Sequence, residues 1–308
     1  MDEANRALTG KEPGKLSQRV KTGVFFAALA MGLAVAGGWW WTLFLFGLFY
    51  FSFRELSELM RAKDIRPSQI IVMTTGTLLY LLAGSDQARH FPVVITIGIT
   101  ASFFRLLFRQ PRASISDIGA TLLGIFYTAY LPVHFILLRN LDSQVSPNPL
   151  EQPGLGYLVL SILIVSVSDI AAYYGGKRFG KELLYPEISP KKTREGAWWG
   201  LAGGVAVGLA YAAVIDFPWY HALILGILLV VVGQLGDLSE SLLKRDAGLK
   251  DSGALLKGHG GVLDRVDSYI FSGAVCYYYI YWIVLHRGLA QDILQMISQL
   301  APSGPFPI

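Results

Sequence analysis

Long apolar runs separated by short polar connections set the pattern of this chain. A helix needs about 20 mostly apolar residues to cross a bilayer, roughly 17–25 in practice. Nine windows meet or approach that length: 22–37, 39–53, 68–84, 91–108, 115–138, 155–175, 198–215, 219–236 and 269–286. The second is short, but Trp39, Trp40, Trp41, Phe44 and Phe46 give it the aromatic character of a membrane interface. The pattern predicts an all-α, polytopic integral membrane protein with nine transmembrane helices. Residues 1–21 form a polar leading segment, 22–138 the first five helices, 155–286 the last four with their connections, and 287–308 a tail. In the tail, Leu289, Ile293, Met296, Ile297 and Leu300 recur at helical spacing, which predicts an amphipathic helix lying on the membrane.

Composition agrees with this solvent. The 308 residues are 53% hydrophobic and 16% charged, with mean hydropathy +0.46, whereas soluble domains carry about 25% charged residues. Charge placement then orients the bundle. With the N-terminus in the cytoplasm, 23 of the 26 Lys and Arg fall in cytoplasmic connections, and Arg89, Arg139 and Arg287 fall outside. Positive charge collects on the cytoplasmic side, and one helix more or fewer would scramble the alternation. Helix number and orientation therefore support each other, and the C-terminus is expected outside. The net charge of +4 expresses this bias and is no nucleic-acid signal. Arg6, Lys11, Lys15, Arg19 and Lys21, followed by an apolar run ending at Ala34-Val35-Ala36, resemble a signal peptide. A second apolar run follows at once, which favours an uncleaved first helix. The lone Cys276 can form no intrachain disulfide and no cysteine metal cluster. Gly200, Gly204 and Gly208 mark a close-packing helix face, internal or between subunits, so a homodimer is an expectation. The compact chain without a targeting extension suggests a bacterial cytoplasmic (inner) membrane.

Two cytoplasmic connections are denser in acids, bases, glycines and hydroxyls than the rest. The first follows Ser168-Asp169 through Gly175, Gly176, Lys177, Gly180 and Lys181 to Ser189-Pro190-Lys191-Lys192-Thr193-Arg194-Glu195. A carboxylate within a membrane helix is costly unless paired or solvated, so Asp169 faces either a polar cavity or a structural ion pair. Lys177, Lys181, Lys191 and Lys192 attract anions. Ser189, Thr193 and Glu195 could open the seventh helix with exposed amides, a phosphate-binding device. The second connection holds Asp237, Ser241 and Lys244 on one helix face, then Arg245, Lys250, Asp251, Gly258-His259-Gly260-Gly261, Asp264, Arg265 and Asp267. Asp264 and Asp267 also share a face if helical. Two acidic faces meeting at the mouth of a bundle suit a hard cation such as Mg2+ carried with substrate phosphate. His259 has no second His or Cys nearby, which argues against zinc and leaves it as a ligand contact or loop lock rather than a general base. Spacing alone leaves two readings open: phosphoryl or nucleotidyl transfer, and an ion-coupled transporter of a phosphorylated solute.

The segment from Ser241-Leu-Leu-Lys244-Arg245 through Lys250-Asp251, Gly253, Leu256 and His259-Gly260-Gly261 to Asp264-Arg265-Val-Asp267 resembles the phosphatidate cytidylyltransferase (CDP-diacylglycerol synthase) family. Ser168-Asp169 and Ser189 to Gly196 share the likeness, which covers roughly the C-terminal half. Lys257 stands where the family usually has a small residue or proline, which puts the loop conformation in question. The resemblance implies Mg2+-dependent transfer of CMP from CTP to phosphatidic acid, giving CDP-diacylglycerol and pyrophosphate. On that reading Asp237, Asp264 and Asp267 hold the metal, with Asp169 assisting and room for a second cation. Lys192, Lys244, Lys250 and Arg265 neutralise the two phosphates. Lys177, Lys181, Ser189, Thr193, Glu195, Ser241, Arg245, Asp251, His259, Gly260 and Gly261 line the substrates. The alternative closest in chemistry is a CTP-dependent polyprenol or phytol kinase. A non-catalytic scaffold would leave the acid–base density unexplained.

Overall fold

The computed structural model describes residues 13–108, 113–143, 145–249 and 261–285. Lys250, Asp251, Lys257, His259, Gly260 and the tail helix expected over 289–300 lie outside the described residues.

Among the described residues, nine long helical segments fall on the nine apolar windows: α1 Pro13–Ala36, α2 Gly38–Arg61, α3 Gln69–Gly84, α4 Phe91–Leu107, α5 Ile115–Asn140, α6 Pro153–Phe179, α7 Arg194–Val214, α8 Trp219–Asp246 and α9 Leu263–Tyr278. Between α6 and α7 stands a small antiparallel ribbon, β1 Leu183–Tyr185 and β2 Ser189–Thr193, pairing Leu183 with Thr193 and Tyr185 with Ser189. By length and hydropathy, α5, α6, α7 and α8 are the helices long and apolar enough to cross a membrane.

Several helices outrun their apolar windows, and the excess is polar. α2 continues past residue 53 to Arg61, and α8 continues past 236 to Asp246, carrying Asp237, Glu240, Ser241 and Lys244. α7 begins at Arg194 rather than 198 because Thr193 caps it, its hydroxyl accepting from the Gly196 amide at 3.1 Å. α5 has a π-turn over Gly124–Tyr130. Pro132 follows in the next turn, and its missing N–H and ring disfavour the regular i→i−4 ladder there.

The large core joins α2, α3, α5, α6, α8 and α9 through Phe49, Val72, Leu79, Ile136, Leu158, Ile164, Leu225, Leu229 and Cys276, all at most 1% exposed. A smaller core packs Leu56, Leu59 and Met60 of α2 against Tyr127 of α5 and Leu263 and Ile270 of α9. Close approaches hold α6, α7 and α8 together. A Cβ at Gly204 would strike Val230 and lie 3.1 Å from the Ile164 carbonyl, and one at Gly200 would lie 3.1 Å from the Ser168 carbonyl. The glycine face of α7 therefore packs inside the bundle.

Candidate active site

The C-terminal ends of α6 and α8 and the N-terminal end of α9 lie on the same side of the bundle, and their polar residues converge there. α8 and α9 come close because Gly236 has no side chain: a Cβ on it would sit 2.6 Å from the Asp267 carbonyl oxygen. That contact sets Asp237, the next residue on α8, against Asp267.

Two charged groupings follow. In the first, Lys192 of β2 reaches Asp237 of α8, Nζ to Oδ2 2.5 Å, with both side chains about a third exposed. Asp169 of α6 lies against the Ser268 hydroxyl and within electrostatic reach of Asp237 and Lys192. Asp267 is 9% exposed and accepts the Ser268 amide at 2.7 Å. It feels the charges of Asp237, Glu240 and Asp169. In the second, Lys244 is ion-paired to Glu240, one turn earlier on α8, and to Asp264 Oδ1 at 2.5 Å. Glu240 is fully buried, and its Oε1 has no hydrogen-bond partner among the described residues. Asp264 lies ahead of the apolar stretch of α9. Burial works against its charge, but the Lys244 ammonium and the Gly261 amide, donating to Oδ2 at 2.8 Å, hold its carboxyl below the usual range.

Asp237 and Asp264, the expected metal ligands, are each ion-paired to a lysine, Asp237 to Lys192 and Asp264 to Lys244. Lys244, the expected phosphate partner, is 12% exposed and lies between Glu240 and Asp264. Thr193 and Glu195 do not leave amides bare at the start of α7: Thr193 takes the Gly196 amide, and Glu195 accepts from the Lys181 and Glu182 amides at 3.0 and 3.3 Å. Arg245 ties the ribbon to α8, donating to the Ile188 and Leu249 carbonyls at 3.3 Å. Lys177, Lys181 and Arg265 are exposed, Ser189 and Ser241 are half-buried, and Gly261 is buried.

Glu240 and Glu55 are additions from the structure. Glu240 has a readable signal, since a Glu four residues before a Lys on a helix pairs with it. Glu55, on α2, accepts the Val262 and Leu263 amides at 2.9 and 2.8 Å across a separation of more than 200 residues, and no local pattern announces such a contact.

Five carboxylates thus gather at one end of the bundle: Asp169, Asp237, Glu240, Asp264 and Asp267. Lys192 and Lys244 pair with three of them, while Asp169 and Asp267 make no salt bridge among the described residues. Among those residues, no three His, Cys, Asp or Glu side chains stand close enough to hold a metal ion by themselves. Hard oxygen donors in excess over their counter-charges still fit Mg2+, which typically takes one or two carboxylates and fills its other positions with substrate phosphate and water. Two cavities elsewhere among the described residues contain none of these acids. One, of about 440 Å3, lies beside Asn140 and Tyr281. The other, of about 1170 Å3, lies beside Arg66 and Phe104.

The apolar helices and the acid–lysine cluster at one end of the bundle describe an all-α membrane protein with a charged polar site. The sequence profile of the cytidylyltransferase family matches residues 17–283, and the chain belongs to that family of nucleotidyltransferases. It is 37% identical over 283 residues to the phosphatidate cytidylyltransferase of Synechocystis sp., covering 86% of this chain and 96% of the relative. It is 32% identical over 269 residues to the phosphatidate cytidylyltransferase of Bacillus subtilis, covering 83% and 94%. It is 33% identical over 297 residues to the chloroplastic phosphatidate cytidylyltransferase 5 of Arabidopsis thaliana, covering 88% and 73%.

Proposed function

We propose that this protein transfers CMP from CTP to phosphatidic acid with Mg2+, at the cytoplasmic face of a bacterial inner membrane, releasing CDP-diacylglycerol and pyrophosphate. The observation that carries the reading is the gathering of Asp169, Asp237 and Asp267 from three helices within electrostatic reach of one another, with Lys192 of the ribbon ion-paired to Asp237. The names of its relatives point to the same two substrates.

A phosphate oxygen of phosphatidic acid attacks the α-phosphorus of CTP. The new P–O bond forms as the bond from the α-phosphorus to the oxygen bridging the β-phosphate breaks, and pyrophosphate leaves with that electron pair. The lipid phosphate is already ionised, so no strong general base is required. Asp237 and Asp267, with Asp169 beside them and Asp264 on the same turn of α9 as Asp267, are the residues that would hold Mg2+. When bound, the metal neutralises charge on the nucleotide phosphates. Lys192 is about a third exposed on a short ribbon, so it can exchange the Asp237 carboxylate for a substrate phosphate. Lys244 keeps Glu240 and Asp264 compensated. Placing the acids just inside the cytoplasmic boundary lets a soluble triphosphate and a lipid headgroup reach the same point.

Purified protein incubated with α-labelled CTP and phosphatidic acid is expected to give a lipid-extractable cytidine product, and Asp264→Asn to abolish it while the protein stays folded. Near-wild-type turnover by Asp264→Asn would overturn the role of α9. Transfer of a γ-label to a lipid alcohol would make the protein a lipid kinase instead.

A further inference from the structure

The N-terminal half reaches the site at one point. α9 begins without a capping side chain of its own: Val262 stands at the N-cap position in helical conformation and makes no side-chain cap. The first amides of a helix have no partner within it, and burying them unpaired is costly. Here two carboxylates take them. Glu55 accepts Val262 and Leu263, one amide on each oxygen, while Asp264 Oδ2 reaches back to Gly261. Glu55 is 4% exposed and lies on the turn of α2 whose Leu56, Leu59 and Met60 pack against Leu263 and Ile270. The clamp is therefore set in a packed core and not on a free side chain. A negative group at a helix N-terminus is also favoured by the helix dipole.

We propose that Glu55 is a positioning residue for the transfer reaction: by holding the first turn of α9 it fixes Asp264 and Asp267 in the site and keeps Asp264 from being drawn wholly into capping its own helix. The proposal rests on the reading that the acids of α9 serve the transfer. Its logic is competition for amides. With Glu55 in place, Asp264 accepts the Gly261 amide while Glu55 takes those of Val262 and Leu263. Without it, two more buried N–H groups seek an acceptor, and the carboxylate already on that turn is Asp264. Glutamine at 55 offers one oxygen where two are needed and turns an NH2 towards the other amide. Aspartate keeps the charge and both oxygens with a shorter reach.

The test uses the full-length protein in detergent as wild type, Glu55→Gln, Glu55→Asp and Asp264→Asn. Turnover is measured against CTP, phosphatidic acid and Mg2+, and amide hydrogen exchange is followed across residues 261–268. Glu55→Gln is expected to lower kcat about 10–100-fold, the usual effect of removing a group that orients a metal-site ligand. The KM for phosphatidic acid should stay unchanged and the Mg2+ half-saturation should rise. Exchange should quicken at Val262 and Leu263 while α5 and α6 keep their protection. Glu55→Asp should recover part of kcat. Wild-type kcat in Glu55→Gln overturns the proposal, whether or not exchange changes. So does a loss of kcat accompanied by faster exchange in every helix, which would be general destabilisation. A dead Asp264→Asn beside a fully active Glu55→Gln sinks this proposal alone. A fully active Asp264→Asn sinks the reading of the site, and this proposal with it.

Discussion

At the scale of single residues, the two lysines of the site have different tasks, and their burial shows it. Lys244 is 12% exposed and compensates Glu240, which has no exposure at all. Removing one partner of a buried ionic group leaves the others uncompensated, which costs about 3–5 kcal/mol. Lys192 and Asp237 are 29% and 31% exposed, and a pair open to solvent contributes on the order of 1 kcal/mol or less. Lys244→Met is therefore expected to lower the thermal midpoint in detergent markedly. Lys192→Met should leave the midpoint nearly unchanged while turnover collapses. Equal midpoints for the two variants would contradict this division. The sequence marked both lysines as phosphate partners because spacing shows which charges share a helix face but not which are enclosed. Burial is a tertiary property, so Glu240 could be read only as a local partner of Lys244, and Glu55 could not be read at all.

At the scale of elements, the apolar windows located the helices well, because bilayer thickness imposes a length on apolar runs. They could not locate the helix ends. The polar extensions of α2 and α8 carry no hydropathy signal, yet the extension of α8 bears Asp237, Glu240 and Lys244. The β1–β2 ribbon escaped for a related reason: strands of three and five residues around Pro186 and Pro190 show no alternation to detect. Close helix approaches were legible as glycine spacing on α7, whereas Gly236, which matters more for the site, stands outside that spacing. Gly236→Ala is expected to push α8 off α9, since backbone at 2.6 Å cannot move aside as a side-chain tip can. Overpacking of this kind costs about 1–3 kcal/mol, and activity should fall with it. Gly47→Ala on α2, with nothing within 4 Å of the added Cβ, serves as the control and should be neutral or stabilising by up to about 1 kcal/mol. Thermal midpoints and turnover of the pair decide the matter, and similar losses in both would refute the assignment.

At the scale of the whole molecule, the proposed function puts the ribbon and the acid cluster on the cytoplasmic side, and the expected positive-inside orientation then puts the α5–α6 connection outside. The lone cysteine makes this easy to test, since Cys276 is fully buried and gives little background. In intact cells, a membrane-impermeant thiol reagent is expected to label Val145→Cys and to spare Tyr185→Cys until the membrane is opened. The reverse result would invert the bundle. The ribbon also bears on depth. It is a two-stranded sheet with an open edge on each strand, and hydrocarbon has nothing to offer backbone groups on such an edge. It must float at the waterline, and the lysine it lowers to Asp237 works like a plumb line of fixed length. In a thicker or thinner bilayer the whole chain would ride up or down with its float, and the lipid phosphate would still arrive level with the acids.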